Sequence, residues 1–198
     1  MSLSTLSPPR ELTNELISVE EFHRMIDAGE LPKDYRVELL EGRLVPKMTH
    51  SPLHDNTVDT VNQVLSKLLP PGWRMRVQSA ITTGTSEPEP DLTIAKGDRQ
   101  TFKRRHPGAT DIGVVIEVAD SSLKQDRTDK RETYARAGIV CYWIVNLRAQ
   151  QVEVFEQPSG PGPFPTFGVE TIHSIGQMVD LRLEGRVIAS VHVSELFA

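Results

Sequence analysis

Two short apolar runs with a helical segment between them constrain the fold more than any other feature. Residues 112–119 (IGVVIEVA) and 140–146 (VCYWIVN) are apolar enough to predict strands buried inside a sheet. Residues 126–137 between them have helical spacing, and Gly138 follows where a helix commonly ends. Strands joined through a helix usually pair in parallel, so we expect a right-handed βαβ crossover here.

The segments before this unit extend the predicted sheet. Over residues 54–69 apolar side chains recur at spacings of three and four, which predicts a helix that ends at the following Pro-Pro-Gly. Residues 73–82 and 90–95 then have the composition of strands. The order helix, three strands, helix, strand predicts an α/β fold whose mixed central β-sheet is flanked by helices.

Shorter elements are predicted on both sides of this core. Ser18 followed by Glu21 has capping-box spacing, so a helix is expected over residues 18–28, and residues 36–47 predict a β-hairpin. After the core, residues 151–157 alternate as an edge-hairpin strand, and two or three short strands follow in the tail. An N-terminal hairpin and C-terminal β additions therefore complete the predicted fold.

Length and composition favour one folded domain inside the cell. A chain of 198 residues with 38% hydrophobic residues suits a single core, assigned to residues 18–198, with residues 1–17 as a flexible lead-in. No apolar run approaches the roughly 20 residues that span a bilayer, and the polar start lacks the layout of a secretory signal. We therefore expect a cytoplasmic protein without membrane association. Cys141 lies in an apolar run and is expected to be a buried hydrophobe.

The charge balance counts against strong non-specific binding of nucleic acid. A net charge of −5 gives no global attraction to a polyanion. Residues 96–105 and 124–132 are locally basic. They could contact a phosphate backbone, although clustered charges are usually solvated faces.

Two carboxylates stand where an ionised group is costly. Asp91 begins a strand directly after Pro90, and Glu117 lies within the apolar run VVIEV. A carboxylate in such a position either points to a polar end of the sheet or binds a cation. The two positions by themselves leave both interpretations open.

The helix that follows Glu117 carries a lysine on an unexpected face. Asp126, Lys130, Tyr134 and Ala137 share one face, and the last two are expected to contact the sheet. Lys130 then leans inward or along the sheet edge, from where it could also reach water. Two carboxylates on neighbouring strands with an inward lysine would suit a metal ion and a reacting phosphate.

Three stretches carry a resemblance to a known family. EPDLTI, VVIEVADSS and KRETYARAGIVCYWIV resemble the Uma-type family of endonucleases, a branch of the PD-(D/E)XK superfamily. The resemblance runs from VELLEGRLV to the C-terminal ELFA, and the predicted order of helices and strands matches that superfamily's core. It implies a restriction-endonuclease-like core and an enzyme that hydrolyses DNA.

The resemblance also implies a set of metal ligands. Asp91, Glu117 and the main-chain carbonyl of Val118 would bind a divalent ion, usually Mg²⁺, with Mn²⁺ as a substitute, and no other cofactor. The superfamily's lysine normally stands two residues after the glutamate, where this chain has Ala119. Lys130 would replace it from the helix as the third catalytic residue beside Asp91 and Glu117.

Three further residues match the family and have less definite roles. Tyr134 stands four residues after Lys130 and supports its assignment. Glu38 could be another ligand, a group that hydrogen-bonds a ligand, or an exposed strand carboxylate. His54 stands at the start of a helix, where it could cap the helix or contact a ligand.

Two function classes therefore remain at the level of sequence. The first is a Mg²⁺-dependent endonuclease acting on DNA, for which a homodimer would supply the two sites that a double-strand cut needs. The second is a non-catalytic regulatory or interaction module that retains the nuclease fold, which the acidic net charge favours.

Overall fold

The computed structural model describes residues 16–31 and 36–197. The predicted lead-in over residues 1–17 lies outside these ranges except for its last two residues. No helix within the described ranges is long and apolar enough to cross a membrane.

The first third of the chain forms two helices and two small hairpin strands before the main sheet. Ser18 caps the first helix as predicted, because its side chain accepts a hydrogen bond from the Glu21 backbone amide. The second helix begins earlier than predicted, with Ser51 as its N-cap and a proline in its first turn. In order, these elements are α1 (Val19–Ala28), β1 (Val37–Leu40), β2 (Arg43–Pro46) and α2 (Pro52–Ser66).

A six-stranded mixed sheet forms the centre of the described structure and confirms the predicted fold class. The strands lie in the same order as in the sequence, and the two central ones pair in parallel while their neighbours are antiparallel. The parallel pair is the one expected from the two apolar runs. The strands are β3 (Trp73–Val77), β4 (Leu92–Lys96), β5 (Ile112–Ala119), β6 (Cys141–Asn146), β7 (Gln151–Pro158) and β8 (Phe167–Ser174).

The helical connection between β5 and β6 is longer than predicted and is not uniformly α-helical. It starts with α3 (Leu123–Gln125), widens into a π-helical turn (Asp126–Lys130) and ends as α4 (Arg131–Ala137). Gly138 ends it in the left-handed conformation, with a φ of 76°. A π turn changes which side chains face the sheet, and such turns are frequent at functional sites.

Two apolar layers cover the faces of the sheet. On one face, α2 packs with the C-terminal hairpin, β9 (Met178–Leu183) and β10 (Arg186–His192), against alternate side chains such as Ile94 and Ile116. On the other face, Tyr134 of α4 packs against Val115 and Tyr142. The second layer ends at the polar residues Asp91 and Glu117, which is where the candidate site lies.

The predicted strand over residues 73–82 is wrong in its second half. β3 stops at Val77 because Gln78 adopts a φ of 42°, which a continuing strand does not permit. The chain then turns so that the Ile81 backbone amide donates to the Pro88 carbonyl and its side chain enters the core. The turn leads back to Glu89 and Asp91, which line the polar pocket described next.

Candidate metal-binding active site

Strand register brings the two sheet carboxylates together. Leu92 pairs with Ile116 across β4 and β5, so Asp91 and Glu117 lie opposite each other on one face. The Asp91 backbone amide donates to Glu117 Oε2 at 3.3 Å, and the Val118 amide donates to Asp91 Oδ2 at 2.9 Å. Both side chains are buried. Because both side chains are buried and in contact with each other, neither is a carboxylate that points into solvent from a polar end of the sheet.

Lys130 reaches Glu117 from the π turn. Its Nζ donates to Glu117 Oε1 at 2.8 Å, and the Tyr134 hydroxyl donates to the same oxygen at 2.7 Å. Lys130 is buried, so its side chain points inward rather than along the surface to water. The structure thus brings together the carboxylates, the lysine and the tyrosine that the sequence singled out.

Glu38 enters the pocket from the N-terminal hairpin. It is buried, its Oε2 accepts a hydrogen bond from the Glu89 backbone amide at 3.2 Å, and its Oε1 lies 3.7 Å from Lys130 Nζ. The interpretation of Glu38 as an exposed strand carboxylate is therefore wrong. Its position indicates a ligand or a group that helps to hold Lys130 in place.

Asp126 also lines the pocket, although no chemical role was predicted for it from the sequence. It stands in the π turn, is 1% exposed, and its Oδ2 accepts a hydrogen bond from Ser122 Oγ at 2.6 Å. The available signal was its spacing of four residues before Lys130 on one helix face. That spacing could not show whether the carboxylate reached the site.

The pocket holds more negative than positive charge. Burial and repulsion from the neighbouring carboxylates raise the pKa of Glu117 to about 8, although Lys130 opposes the shift. Burial likewise raises the pKa of Asp126 to about 6, again against the effect of Lys130. For Lys130, burial alone would lower the pKa, but Glu117, Glu38 and Asp126 raise it, so the ammonium stays charged. The raised pKa values show that Lys130 alone does not compensate four ionised carboxylates, and a bound cation would favour their ionised forms.

Two histidines approach Asp91, one just before α2 and one in its first turn. The Nε2 atom of His54 lies 3.1 Å from Asp91 Oδ2, and the rings of His50 and His54 stack with their centroids 4.1 Å apart. Asp55 Oδ1 lies 3.3 Å from the Nδ1 atom of each histidine. His54 thus contacts Asp91, a candidate metal ligand, which is one of the two roles predicted for it from the sequence. His50 was not recognised in the sequence, because it precedes the helix and has no periodic partner.

The charge of Asp91 is maintained by this environment. Burial would raise the pKa of Asp91, but the hydrogen bond and charge of His54, the Val118 amide and Lys130 hold it below its usual value. Burial also lowers the pKa of His54, but Asp91 and Asp55 outweigh that effect and raise it. Asp91 is therefore an anion available to bind a cation.

The side chains present fit a divalent metal ion in two overlapping ways. Asp91 and Glu117, with Asp126 and Glu38 beside them, offer carboxylate oxygens of the kind that Mg²⁺ and Mn²⁺ prefer. One ligand atom from each of His50, His54 and Asp91 also lies within 4.8 Å of the others. Imidazole nitrogen in that second set suits transition metals better than Mg²⁺. Asp91 belongs to both sets.

Three other residues, one at the rim of the pocket and two in the core, have no proposed role in metal binding or catalysis. Asp120 accepts a hydrogen bond from Ser51 Oγ at 3.2 Å at the rim of the pocket. Burial raises the pKa of the Cys141 thiol to about 12, so this buried cysteine is unsuited to act as a nucleophile. Trp143 is fully buried in the core.

Comparison with known proteins agrees with this fold. A family model described as "Uma2: Putative restriction endonuclease" matches residues 19–174. A solved structure, described as a putative nuclease belonging to DUF820 from Anabaena variabilis ATCC 29413, superimposes with a TM-score of 0.68 and 16% sequence identity. The superposition covers 91% of this chain and 97% of the other, and shows a shared fold. A search of curated proteins gave no match. With more than half of its length matched by the family model, the chain belongs to the Uma2 family of restriction-endonuclease-like proteins.

Proposed function

We propose that this protein is a metal-dependent endonuclease that hydrolyses phosphodiester bonds in DNA. The observation that carries the proposal is the convergence of Asp91, Glu117 and Lys130 in one buried pocket with surplus negative charge. Membership of a family described as restriction endonucleases supports the same reaction class. The proposed catalytic residues are these three.

Asp91, Glu117 and the Val118 carbonyl are the proposed ligands of a Mg²⁺ ion, which Mn²⁺ could replace. When bound, the ion would lower the pKa of a water molecule and stabilise negative charge on a phosphate oxygen. Asp91 is suited to this role because its neighbours keep it ionised. Glu38 and Asp126 are close enough to complete the ligand set or to hydrogen-bond its waters.

Lys130 is the lysine that contributes positive charge to the proposed active site. Its Nζ lies between Glu117 at 2.8 Å and Glu38 at 3.7 Å, which fixes the ammonium in the pocket. From there it would orient the attacking water or offset charge that develops on the phosphate. Tyr134 and His54 act as positioning residues, because they hydrogen-bond Glu117 and Asp91 respectively.

A non-catalytic module with the same fold is the competing function. The net charge of −5 favours it, since an enzyme acting on DNA ordinarily gains from attractive steering. This alternative predicts an intact fold, with or without metal binding, and no cleavage. Dimerisation stays a prediction in either case, to be checked by light scattering of the purified protein.

Cleavage by matched variants tests the proposal. Supercoiled plasmid and single-stranded DNA are incubated with purified protein and Mg²⁺ or Mn²⁺, and nicking is followed on gels. Asp91→Asn and Lys130→Met should each lower the rate about 100-fold or more. Asp129→Asn and Lys124→Met are matched controls on the same helical segment, because both side chains are exposed.

Two outcomes would refute the proposal. Equal nicking by the wild type and all four variants would indicate a contaminating nuclease. Absence of nicking by a folded wild type that binds Mg²⁺, measured by calorimetry, would favour the non-catalytic module.

A further inference from the structure

The edge strand β3 carries two arginines on the face of the sheet that bears the acidic pocket. Met75, between Arg74 and Arg76, packs into the core beneath α2, so the arginines project from the opposite face. Arg76 pairs with Thr93, which has the same orientation as Asp91 two residues earlier. The arginine pair and the pocket therefore share one face of the sheet.

Neither arginine has a counter-ion within residues 16–31 and 36–197. No ion pair or side-chain hydrogen bond links Arg74 or Arg76 to another described residue, and the Nε atom of each is buried without a partner. Burial, with repulsion from Arg74, lowers the pKa of Arg76. Two adjacent, half-buried guanidinium groups repel each other, and an anion that contacted both would remove that cost.

The connection between β4 and β5 adds further positive charge beside these arginines. Arg99, Lys103 and Arg104 are exposed, and none is ion-paired with any residue that the structure describes. Of the two acidic side chains nearby, Asp98 accepts hydrogen bonds from its own loop, and Asp111 pairs with Arg105. The loop therefore retains a surplus of positive charge in a chain whose net charge is −5.

An aromatic ring links the loop to the strand. The guanidinium carbons of Arg76 and Arg105 each lie over the Phe102 ring, 5.4 Å from its centroid. Such cation–π contacts restrict the arginine side chains without neutralising them. The result is an ordered basic surface, which we call the basic ridge: Arg74, Arg76, Arg99, Lys103 and Arg104, arranged around Phe102.

The basic ridge begins close to the candidate active site. From ordinary strand geometry, with a rise of about 3.3 Å per residue and strands about 4.8 Å apart, the Cα atoms of Arg76 and Asp91 are roughly 8 Å apart. Positive charge thus starts beside a pocket that itself holds surplus negative charge. A linear polyanion is the ligand whose charges could follow the ridge while one of its groups enters the pocket with a metal ion.

We propose that the basic ridge binds the phosphodiester backbone of a nucleic acid and positions it at the pocket. Guanidinium groups suit phosphate oxygens because they donate paired hydrogen bonds and keep their charge. The choice of a nucleic acid rests on the proposed function, whereas binding at the ridge is independent of cleavage. Contacts of this kind give affinity without reading the base sequence.

Binding of labelled DNA in EDTA tests the ridge separately from catalysis. Fluorescence anisotropy of a fluorescein-labelled duplex is measured between 0.05 and 0.5 M salt, roughly the range over which phosphate contacts weaken. Loss of two phosphate contacts in Arg74→Gln/Arg76→Gln should reduce the magnitude of the slope of log K against log salt by about 1.8. Relative to binding at 1 M salt, this change corresponds to a loss of affinity of roughly 60-fold at 0.1 M salt. Lys103→Gln/Arg104→Gln, in the exposed loop, should have a similar effect without touching the sheet.

Two matched double variants make the result specific. Lys67→Gln/Arg186→Gln removes the same charge from exposed positions without ion pairs to described residues, and should leave the slope unchanged. Arg74→Lys/Arg76→Lys keeps the charge and should keep most of the slope. Circular dichroism checks that each variant is folded.

Several results would overturn the proposal. The first is undetectable binding of DNA by the wild type at 0.05 M salt. The second is an equal loss of DNA affinity in the ridge variants and in the Lys67/Arg186 control. The third is binding to vesicles containing phosphatidylserine that depends on the ridge and is as tight as binding to DNA. Cleavage and binding are judged apart: a protein that binds through the ridge but never nicks DNA refutes the proposed function alone. Nicking that survives with unchanged DNA affinity in both ridge variants refutes the ridge alone.

Discussion

Replacing Asp126 by asparagine should stabilise the metal-free protein at neutral pH. The pKa of Asp126 rises from 3.8 to about 6 on folding, mainly because the carboxylate is buried and despite the neighbouring Lys130. At about 1.36 kcal/mol for each pH unit, a rise in pKa of this size corresponds to a cost of at most about 3 kcal/mol for the ionised side chain. Asparagine does not ionise, and its side-chain oxygen can still accept the hydrogen bond from Ser122.

The pH dependence has a definite sign. The folded protein binds this proton more tightly than the unfolded chain, so the cost is nearly absent below pH 3.8 and complete above about pH 6. The expected stabilisation in Asp126→Asn is therefore up to about 3 kcal/mol at pH 7.5 and less than about 1 kcal/mol at pH 4. The larger value corresponds to a rise in Tm of roughly 6 to 12 °C for a chain of this size.

Urea unfolding in EDTA between pH 4 and pH 8, followed by tryptophan fluorescence, measures this difference. Asp129→Asn is the matched control, since Asp129 lies in the same π turn but is exposed, and it should change stability little at either pH. The reasoning is refuted if Asp126→Asn is no more stable than the wild type at pH 7.5, or if its stabilisation is the same at both pH values.

Three further predictions follow from other contacts. Mn²⁺ or Mg²⁺ at about 100 times its Kd should stabilise the wild type by about 2.7 kcal/mol, measured by thermal melting. Asp91→Asn should lose most of this stabilisation. An equal stabilisation of both proteins would show that the ion binds elsewhere. Tyr134→Phe should destabilise the fold by about 1–3 kcal/mol in urea, because buried Glu117 loses a hydrogen bond; unchanged stability would contradict that contact. Gly113→Ala should lower the free energy of unfolding by about 1–3 kcal/mol, since the added Cβ would lie 2.6 Å from Leu183 and 2.7 Å from the Trp73 ring. A variant with the same Tm as the wild type would show that the neighbouring side chains shift to accept the methyl group.

Local pattern was sufficient for most of the fold. Residues 112–119 and 141–146 form central strands because their apolar character is a property of the segments themselves, and the helix between them favours a parallel pair. The same local information identified Asp91 and Glu117, since a carboxylate in an apolar strand is visible without any partner. Lys130 was found from its periodicity relative to Tyr134.

Only the tertiary structure decided which other side chains complete the pocket. Glu38 and His54 come from separate elements, and their approach depends on how the hairpin and α2 pack against the sheet. Asp126 stands in the π turn and is buried in the pocket, whereas its spacing alone did not show whether the carboxylate reached the site. The basic ridge likewise exists only because strand register and a distant loop bring Arg76 and Phe102 together. The sequence determined the elements through local periodicity, whereas long-range packing decided the charge balance of the site.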